Sequence, residues 1–403
     1  MIQWIRRTAA VGAAVLLSIY GAAAYYAWQL PDSYYIPTDG TLQVDTMLHV
    51  SAAPSDHAAV QAAADSASNT ETASLQLFGI VPIKDVEMQE IDRPMLVPCG
   101  QAFGIKLRME GAMVVGMDSV ETTSGDRCPA QEAGLQTGDL IQEVDGQAVD
   151  SNESLQNAIA DSKGDTVTVT YVRGEETRTC SLDPAFAVDD SRYEAGVWVR
   201  DSSAGIGTIT FYAPETGSFG GLGHPICDTD TGDILPLGSG DAVAAAISQV
   251  IRGTSGSPGM LQGSFKDEAP IGELLCNNRC GVFGTLYKNP SEEEAIPMAF
   301  KQEIQTGEAQ ILCTAFGDTP KAYDVVLEEI DYSGTDSTKN MTIRVTDPEL
   351  LERTGGIVQG MSGSPIIQNG MLIGAVTHVF VDDPTCGYAI FCENMVRYGL
   401  CGS

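Results

Sequence analysis

The apolar positions of this chain fall into three textures. The first is an uncharged Ala-, Leu- and Tyr-rich stretch, Thr8 to Leu30, that follows Arg6-Arg7 and ends in Tyr25-Tyr26-Ala27-Trp28. At about 1.5 Å per residue such a helix just crosses a ~30 Å hydrocarbon layer, so residues 1–30 are predicted to be a signal anchor. The basic flank belongs in the cytoplasm and the aromatic cluster at the outer interface. A cleaved signal peptide ending near Ala22-Ala23-Ala24 is the competing reading. Both export the remainder. Residues 31–74 are polar, and Ser51 to Ser74 is dominated by Ala, Ser, Asp and Thr. So few large apolar residues bury little surface, and a flexible linker is expected there. Leu75 to Ile83 then opens a connecting strand segment, 75–97.

The second texture, 98–185, mixes strand and helix periods. Gly100-Gln101-Ala102-Phe103-Gly104-Ile105-Lys106-Leu107 is a glycine-bracketed loop entering an alternating strand. Apolar residues at 155, 158 and 159 have helical spacing, and Thr166 to Arg173 alternates as a strand does. The run PAQEAGLQTGDLIQEVDGQAV, Pro129 to Val149, gives a short small-residue helix, a Gly-Asp turn, an apolar strand and an Asp-Gly turn. These residues resemble a PDZ domain over about 85 positions. The resemblance implies an α+β module that adds a peptide C-terminus, the chain's own among the candidates, to a sheet edge. It puts the carboxylate nest at Ala102, Phe103, Gly104 and Ile105.

The third texture, 186–403, is a series of short β-patterned runs with glycine turns, such as Gly205 to Phe211, Gly281 to Leu286 and Leu372 to Phe380. It predicts an all-β barrel or pair of barrels. One helix is expected, Asp347 to Thr354, with aspartate as cap, Pro348 in its first turn and Gly355 as stop. The fold class is therefore mainly β: an anchor helix, a PDZ-like module and an all-β domain.

Composition narrows the function. With 403 residues and 43% hydrophobic content the chain can build two or three cores. Its 22 basic and 54 acidic residues give a net charge of −32, against binding nucleic acid. Ten cysteines suit an exported protein, but their pairing is not legible from spacing. Cys276 and Cys280 can close a small loop or supply two metal ligands. No C-x-x-C or H-E-x-x-H motif accompanies them, and no metal or cofactor is expected.

The chemistry centres on Gly355-Gly356-Ile357-Val358-Gln359-Gly360-Met361-Ser362-Gly363-Ser364-Pro365-Ile366. A serine between glycines can project its Oγ from a sharp turn while N–H groups converge on an oxyanion. Gly253-Thr254-Ser255-Gly256-Ser257-Pro258 repeats the pattern before polar sequence and reads as a surface turn. A serine nucleophile needs a base, usually histidine. Of four histidines, His49 and His57 lie in or beside the polar segment. His224 sits in Gly220-Gly221-Leu222-Gly223-His224-Pro225, a backbone fixed by glycines and proline, and is preferred over His378, which lies inside a β-run.

Two segments, GGLGHPICD at Gly220 to Asp228 and TGGIVQGMSGSPIIQNGMLIGAVTHVFVDDPTCGY at Thr354 to Tyr388, resemble the SpoIVB peptidase family of sporulation serine peptidases. The resemblance implies a chymotrypsin-like double-barrel peptidase with Ser362 as nucleophile and His224 as base. Asp347 is implied as the acidic partner, although that residue already has a local task as helix cap; Asp228 is the alternative. By fold-level analogy the oxyanion donors are the N–H groups of Gly360 and Ser362. The family also implies an enzyme exported from the forespore that cleaves a regulator of an intramembrane protease, activates late mother-cell transcription and cuts itself within the Ser51–Ser74 segment. The contrasting expectation is an inactive PDZ and peptidase-like scaffold that only holds partners together.

Overall fold

In the computed structural model, which describes residues 2–38, 40–44, 46–54, 70–332 and 337–399, the apolar stretch is one helix, Ile2–Gln29 (α1). Its Ala10–Gln29 part is long and apolar enough to cross a membrane by length and composition. The end of the helix is not left in solvent. Ala23, Tyr26 and Leu30 are buried. They pack on a sheet made of Ser33–Pro37 (β1), Gln43–Val44 (β2), Val50–Pro54 (β3), Thr70–Leu77 (β4) and Val81–Ile91 (β5). The strand order is β1-β5-β4-β3-β2.

This corrects the expected linker over 31–74. Its described flanks are paired strands, with Val50 opposite Leu77 and Pro54 opposite Ala73. Residues 55–69 lie outside the described residues. The Ala- and Ser-rich strands need few large side chains of their own. Tyr34, Leu75, Leu77, Val86 and the end of α1 fill the core for them.

Met95–Pro98 (β6) leads to a long strand, Ala102–Met117 (β7). The PDZ-like module follows as Val120–Thr122 (β8), Gly125–Arg127 (β9), Pro129–Glu132 (α2), Leu140–Val144 (β10), Gln147–Ala148 (β11), Asn152–Asp161 (α3), Val167–Arg173 (β12) and Glu176–Leu182 (β13). Ser151 caps α3 in a reciprocal box with Ser154. Leu155 and Ile159, the apolar pair expected on one helix face, are buried with Val144, Val167 and Tyr171.

Beyond it run Ala185–Ala187 (β14), Arg192–Glu194 (β15), Val197–Ala213 (β16), Ser218–Gly221 (β17), Ser239–Ile251 (β18), Met260–Asn278 (β19) and Gly281–Leu286 (β20). Pairing runs from β7 to β18, β19, β20, β17 and β16, and from β16 back to β7, which closes a first barrel. Phe103, Ile105, Phe219, Leu274 and Val282 fill it. A short pair strand, Ile296–Pro297 (β21), precedes a second barrel. This is built from Gly307–Cys313 (β22), Lys321–Ile330 (β23), Met341–Val345 (β24), Pro365–Gln368 (β25), Met371–Val379 (β26) and Cys386–Phe391 (β27). It closes in the order β22-β23-β24-β27-β26-β25 around Ile311, Val325, Ile343 and Ile366. The helix Pro348–Thr354 (α4) carries the expected Asp347 cap and a left-handed Gly355 stop, and Cys392–Gly399 (α5) ends the described chain. The mainly β, double-barrel class is as expected.

The expected start of the PDZ-like module at 98 places in one unit a strand, β7, that two units share. The first half of β7 belongs to the barrel: Ala102 to Arg108 pair with β16, and Phe103 to Arg108 with β18. Its second half belongs to the PDZ sheet, where Ala112 and Met113 pair with β10. Gly111 marks the switch, with φ +145° and a would-be Cβ only 2.5 Å from the Ile141 carbonyl oxygen. A side chain there would collide with the neighbouring strand. The PDZ-like module is thus inserted between two strands of the first barrel.

Candidate active site

The two barrels each deliver one half of the site. From the first, β17 ends at Gly221, and Leu222 (φ +65°) and Gly223 (φ +71°) turn the chain so that His224 enters the cleft. The loop beyond is held by side chains. Asp228, buried, accepts the N–H groups of Asp230 and Thr231 at 2.9 Å each and pairs with the Arg200 guanidinium. Burial works against its charge, but these donors outweigh it and keep its carboxyl below the usual range. Asn277 of β19 accepts the Ile226 N–H at 2.8 Å and donates to the carbonyls of Ile226 (2.9 Å) and Leu235 (2.8 Å). Sequence reading noticed only the thiols that bracket Asn277. A half-buried amide spanning a loop has no local signature.

His224 Nδ1 lies 2.8 Å from the Pro225 carbonyl oxygen. A carbonyl only accepts, so Nδ1 carries the proton and Nε2 the lone pair. Burial lowers the imidazole pKa and the Pro225 contact opposes the shift in part. The ring is accordingly neutral near pH 7, the state a general base requires.

From the second barrel, the turn 355–365 joins α4 to β25. Gly360 (φ +97°) and Gly363 (φ +93°) are left-handed. A Cβ on Gly363 would strike the Thr208 carbonyl and lie 2.5 Å from the Leu222 nitrogen. Glycine here is a requirement of close approach between the barrels. Two buried threonines of β16 clamp the turn. Thr208 donates its N–H to Ser362 O (3.1 Å) and its hydroxyl to Gly360 O (2.9 Å). Thr210 donates its hydroxyl to Gly363 O at 2.8 Å. Ser362 Oγ donates to the Thr377 carbonyl at 2.8 Å. Ser364, its confounder, is fully buried.

His224, Ser362 and Gly360 line one cavity of about 510 Å³. Ile206, Ile357, Val358 and Val379 give it apolar walls, and Cys227 lies at its side. Among the described residues that line it, none is a carboxylate. Asp347 is not brought there. Its Oδ1 accepts the Leu350 N–H at 2.9 Å, and its own N–H donates to Asp324 O. As a cap, Asp347 is not among the residues that line the cavity. Asp228 likewise turns to Arg200 rather than to the imidazole. What does stand beside His224 is His378, with ring centroids 5.1 Å apart and planes 38° apart.

The expected carboxylate nest is also corrected. Ala102, Phe103, Gly104 and Ile105 form a strand paired with Gly205 to Thr208 on one side, and Phe103 to Ile105 also pair with β18 on the other. Their N–H groups are ladder donors, not a nest. A different groove of about 290 Å³ runs between Asn152, Leu155 and Ile159 of α3 and residues Ala195 to Val199. The repeat at Gly253 to Pro258 is an exposed turn closed by reciprocal Thr254–Ser257 bonds, and only its Pro258 reaches the cavity. His49 lies before β3, far in sequence from either barrel, and His57 falls outside the described residues. The nine described cysteines are free, Cys276 and Cys280 included. Among the described residues no group of metal-binding side chains forms.

A protein-family profile described as SpoIVB peptidase S55 matches residues 191–396, and one described as PDZ domain matches residues 102–183. No curated protein matches the chain significantly. Among solved structures, the PDZ domain of an SdrC-like protein from Listeria monocytogenes is 26% identical. It covers 22% of this chain and 87% of its own, with a TM-score of 0.19. Rv3671c from M. tuberculosis H37Rv, in an inactive mutant form, is 15% identical. It covers 47% of this chain and 78% of its own, with a TM-score of 0.29.

Proposed function

The chain belongs to the SpoIVB peptidase S55 family, serine peptidases here joined to a PDZ domain, and on that premise we propose that Ser362 and His224 carry out peptide-bond hydrolysis in the cavity between the barrels. The observation that carries this reading is the convergence of His224 and Ser362, 138 residues apart in the chain, on one cavity. In the resting state Ser362 Oγ is turned to Thr377. Rotation about its χ1 presents the hydroxyl to the lone pair on His224 Nε2. His224 takes the proton as Oγ attacks the substrate carbonyl, and then gives it to the leaving amine. The oxyanion is held by the N–H groups of Gly360 and Ser362. Neither N–H donates a hydrogen bond elsewhere among the described backbone bonds. Water activated by the same imidazole releases the acyl-enzyme.

The substrate is a protein. We assign it, on the family's lines, to a regulator of an intramembrane protease in sporulation signalling. The α1 helix anchors the enzyme, and the barrels lie on the exported side, between the forespore and mother-cell membranes. Self-cleavage is assigned to the Ser51–Ser74 segment. The described ends of that segment, Ser51–Pro54 and Thr70–Ser74, are paired strands. The PDZ peptide, the chain's own C-terminus among its candidates, lies between α3 and the outer edge of β16, in the groove that Ala195 to Val199 line.

A fluorophosphonate probe tests the assignment. Labelling of the full chain is expected to vanish in Ser362→Ala and to persist in Ser364→Ala. Folded wild-type protein that takes no label, and leaves β-casein intact, is instead the scaffold.

A further inference from the structure

We propose that the tip of the β4–β5 hairpin, Phe78-Gly79-Ile80, seats in the outer face of the bilayer that α1 crosses, so that a second point holds the N-terminal sheet against the lipid. This rests on the anchoring reading above. The partner is a phospholipid leaflet, met by apolar side chains.

The tip is built against the usual pattern of a solvent-facing turn. Phe78 is 48% and Ile80 80% exposed. In a chain with a net charge of −32, Leu75 to Ile83 contains no charged residue. Phe78 and Gly79 hold left-handed φ values of +55° and +70°, which make the turn tight. Met47, 99% exposed, stands at the same end of the sheet, because Val50 pairs with Val44 on one side and Leu77 on the other. The Phe78 N–H donates to His49 O at 2.8 Å and ties the two loops together.

That end of the sheet points back along α1 toward the membrane. Lys84 Nζ donates to Leu30 O and, at 2.7 Å, to Asp32 Oδ1. One turn earlier the Tyr26 hydroxyl accepts the Leu48 N–H at 3.1 Å. Helical side chains lean toward the helix N-terminus, so descending α1 from Leu30 moves from Lys84 toward the tip. Ala10 to Ser18 are exposed, whereas Ile19, Ala22 and Tyr26 pack on the core of the sheet.

The lengths decide the rest. From Arg7 to Ile19 the helix rises about 18 Å, against a hydrocarbon layer of ~30 Å. Arginines that snorkel to the headgroups shorten the deficit, which is at most about 12 Å. From Ile80 to Lys84 the strand rises about 13 Å, and Lys84 is the first charge on that arm. The uncharged depth of the tip thus matches the length that the free helix lacks. Immersion to that depth also takes in the sheet-packed part of Ala10–Gln29, the segment apolar enough to cross. The polar Thr46 and His49 place the neighbouring loop among the headgroups.

The test carries the photocrosslinker p-benzoylphenylalanine at one position at a time in the full chain, reconstituted in phosphatidylcholine vesicles. Lipid adducts are read by mass spectrometry. Positions Phe78 and Ile80 are expected to give adducts at least about fivefold above position Trp198, which is exposed in the PDZ-like groove. Added salt should leave the yield unchanged, since no charge carries the contact. Yields at both tip positions no greater than at Trp198, or adducts to a second copy of the chain in place of lipid, overturn the proposal. Position Leu16, exposed within α1, reports the anchor itself. A chain that takes no lipid at Leu16 overturns the anchoring reading instead.

Discussion

The chain contains the pattern Gly-x-Ser-Gly-Ser-Pro twice, and the two copies fold into different things. Gly360 to Pro365 lies in the seam between the barrels, its carbonyls clamped by Thr208 and Thr210. Thr254 to Ser257 is an exposed turn closed by reciprocal bonds and tied by the Gly256 N–H to Val381 O. The central glycines share a left-handed φ, +93° at Gly363 and +80° at Gly256. Their surroundings differ: a Cβ on Gly256 meets nothing within 4 Å, whereas one on Gly363 runs into the opposite barrel. Six residues fix a backbone shape. A second barrel pressed against that shape, with an imidazole on the same cavity, is what sets the proposed nucleophile apart from its copy.

The sharpest break in the comparison is between the serines. Ser362→Ala is expected to lower kcat by about 10⁶ and Ser255→Ala to leave it within about twofold, read by β-casein cleavage. Full activity in Ser362→Ala would erase the distinction. Next come the glycines. Gly363→Ala should cost more than about 3 kcal/mol through overpacking and strain. Gly256→Ala should cost about 1 kcal/mol, from its φ alone. Urea unfolding of both variants measures the gap.

A smaller effect sharpens the other half of the site, where side chains rather than glycines do the holding. Asp228 has a folded pKa below its unfolded value. Its contribution is therefore complete above about pH 4 and is lost as pH falls through the folded value. Asp228→Asn should remove that acid-side dependence from the melting curve. Smallest is the placement of the acid limb of activity. Burial lowers the His224 pKa, so the midpoint of kcat/KM against pH should fall below about 6.5. A midpoint above 7 would mean that the imidazole is not buried in the working enzyme.

Much of this was legible in the sequence, and the exceptions have a common cause. His224, Ser362, the α4 caps and the Leu155–Ile159 face follow from local backbone chemistry, which a sequence displays directly. Ala102 to Ile105 misled because a glycine-bracketed run before an alternating strand looks the same whether its edges are open or taken. Only the distant strands β16 and β18 take them. The strands within 31–74 looked like linker because most large core residues of their sheet, Tyr26, Leu30, Leu75, Leu77 and Val86, lie outside that span. Asp347 satisfied a local rule, capping, and the fold kept it there. Asn277 carries no local signal because its partners, not a spacing, define it.

The shared strand β7 imposes an order of events on the newborn polypeptide. Both of its halves wait for β16, which begins 80 residues after β7 ends, at Val197 against Met117. The barrel that carries His224 cannot close before then, and the PDZ-like core is completed only when Ala195, Val197 and Val199 join it. The seam is complete only when β27, ending at Phe391, has been delivered. A partly made chain therefore lacks the proposed site, and proteolysis on that reading is a property of the finished molecule.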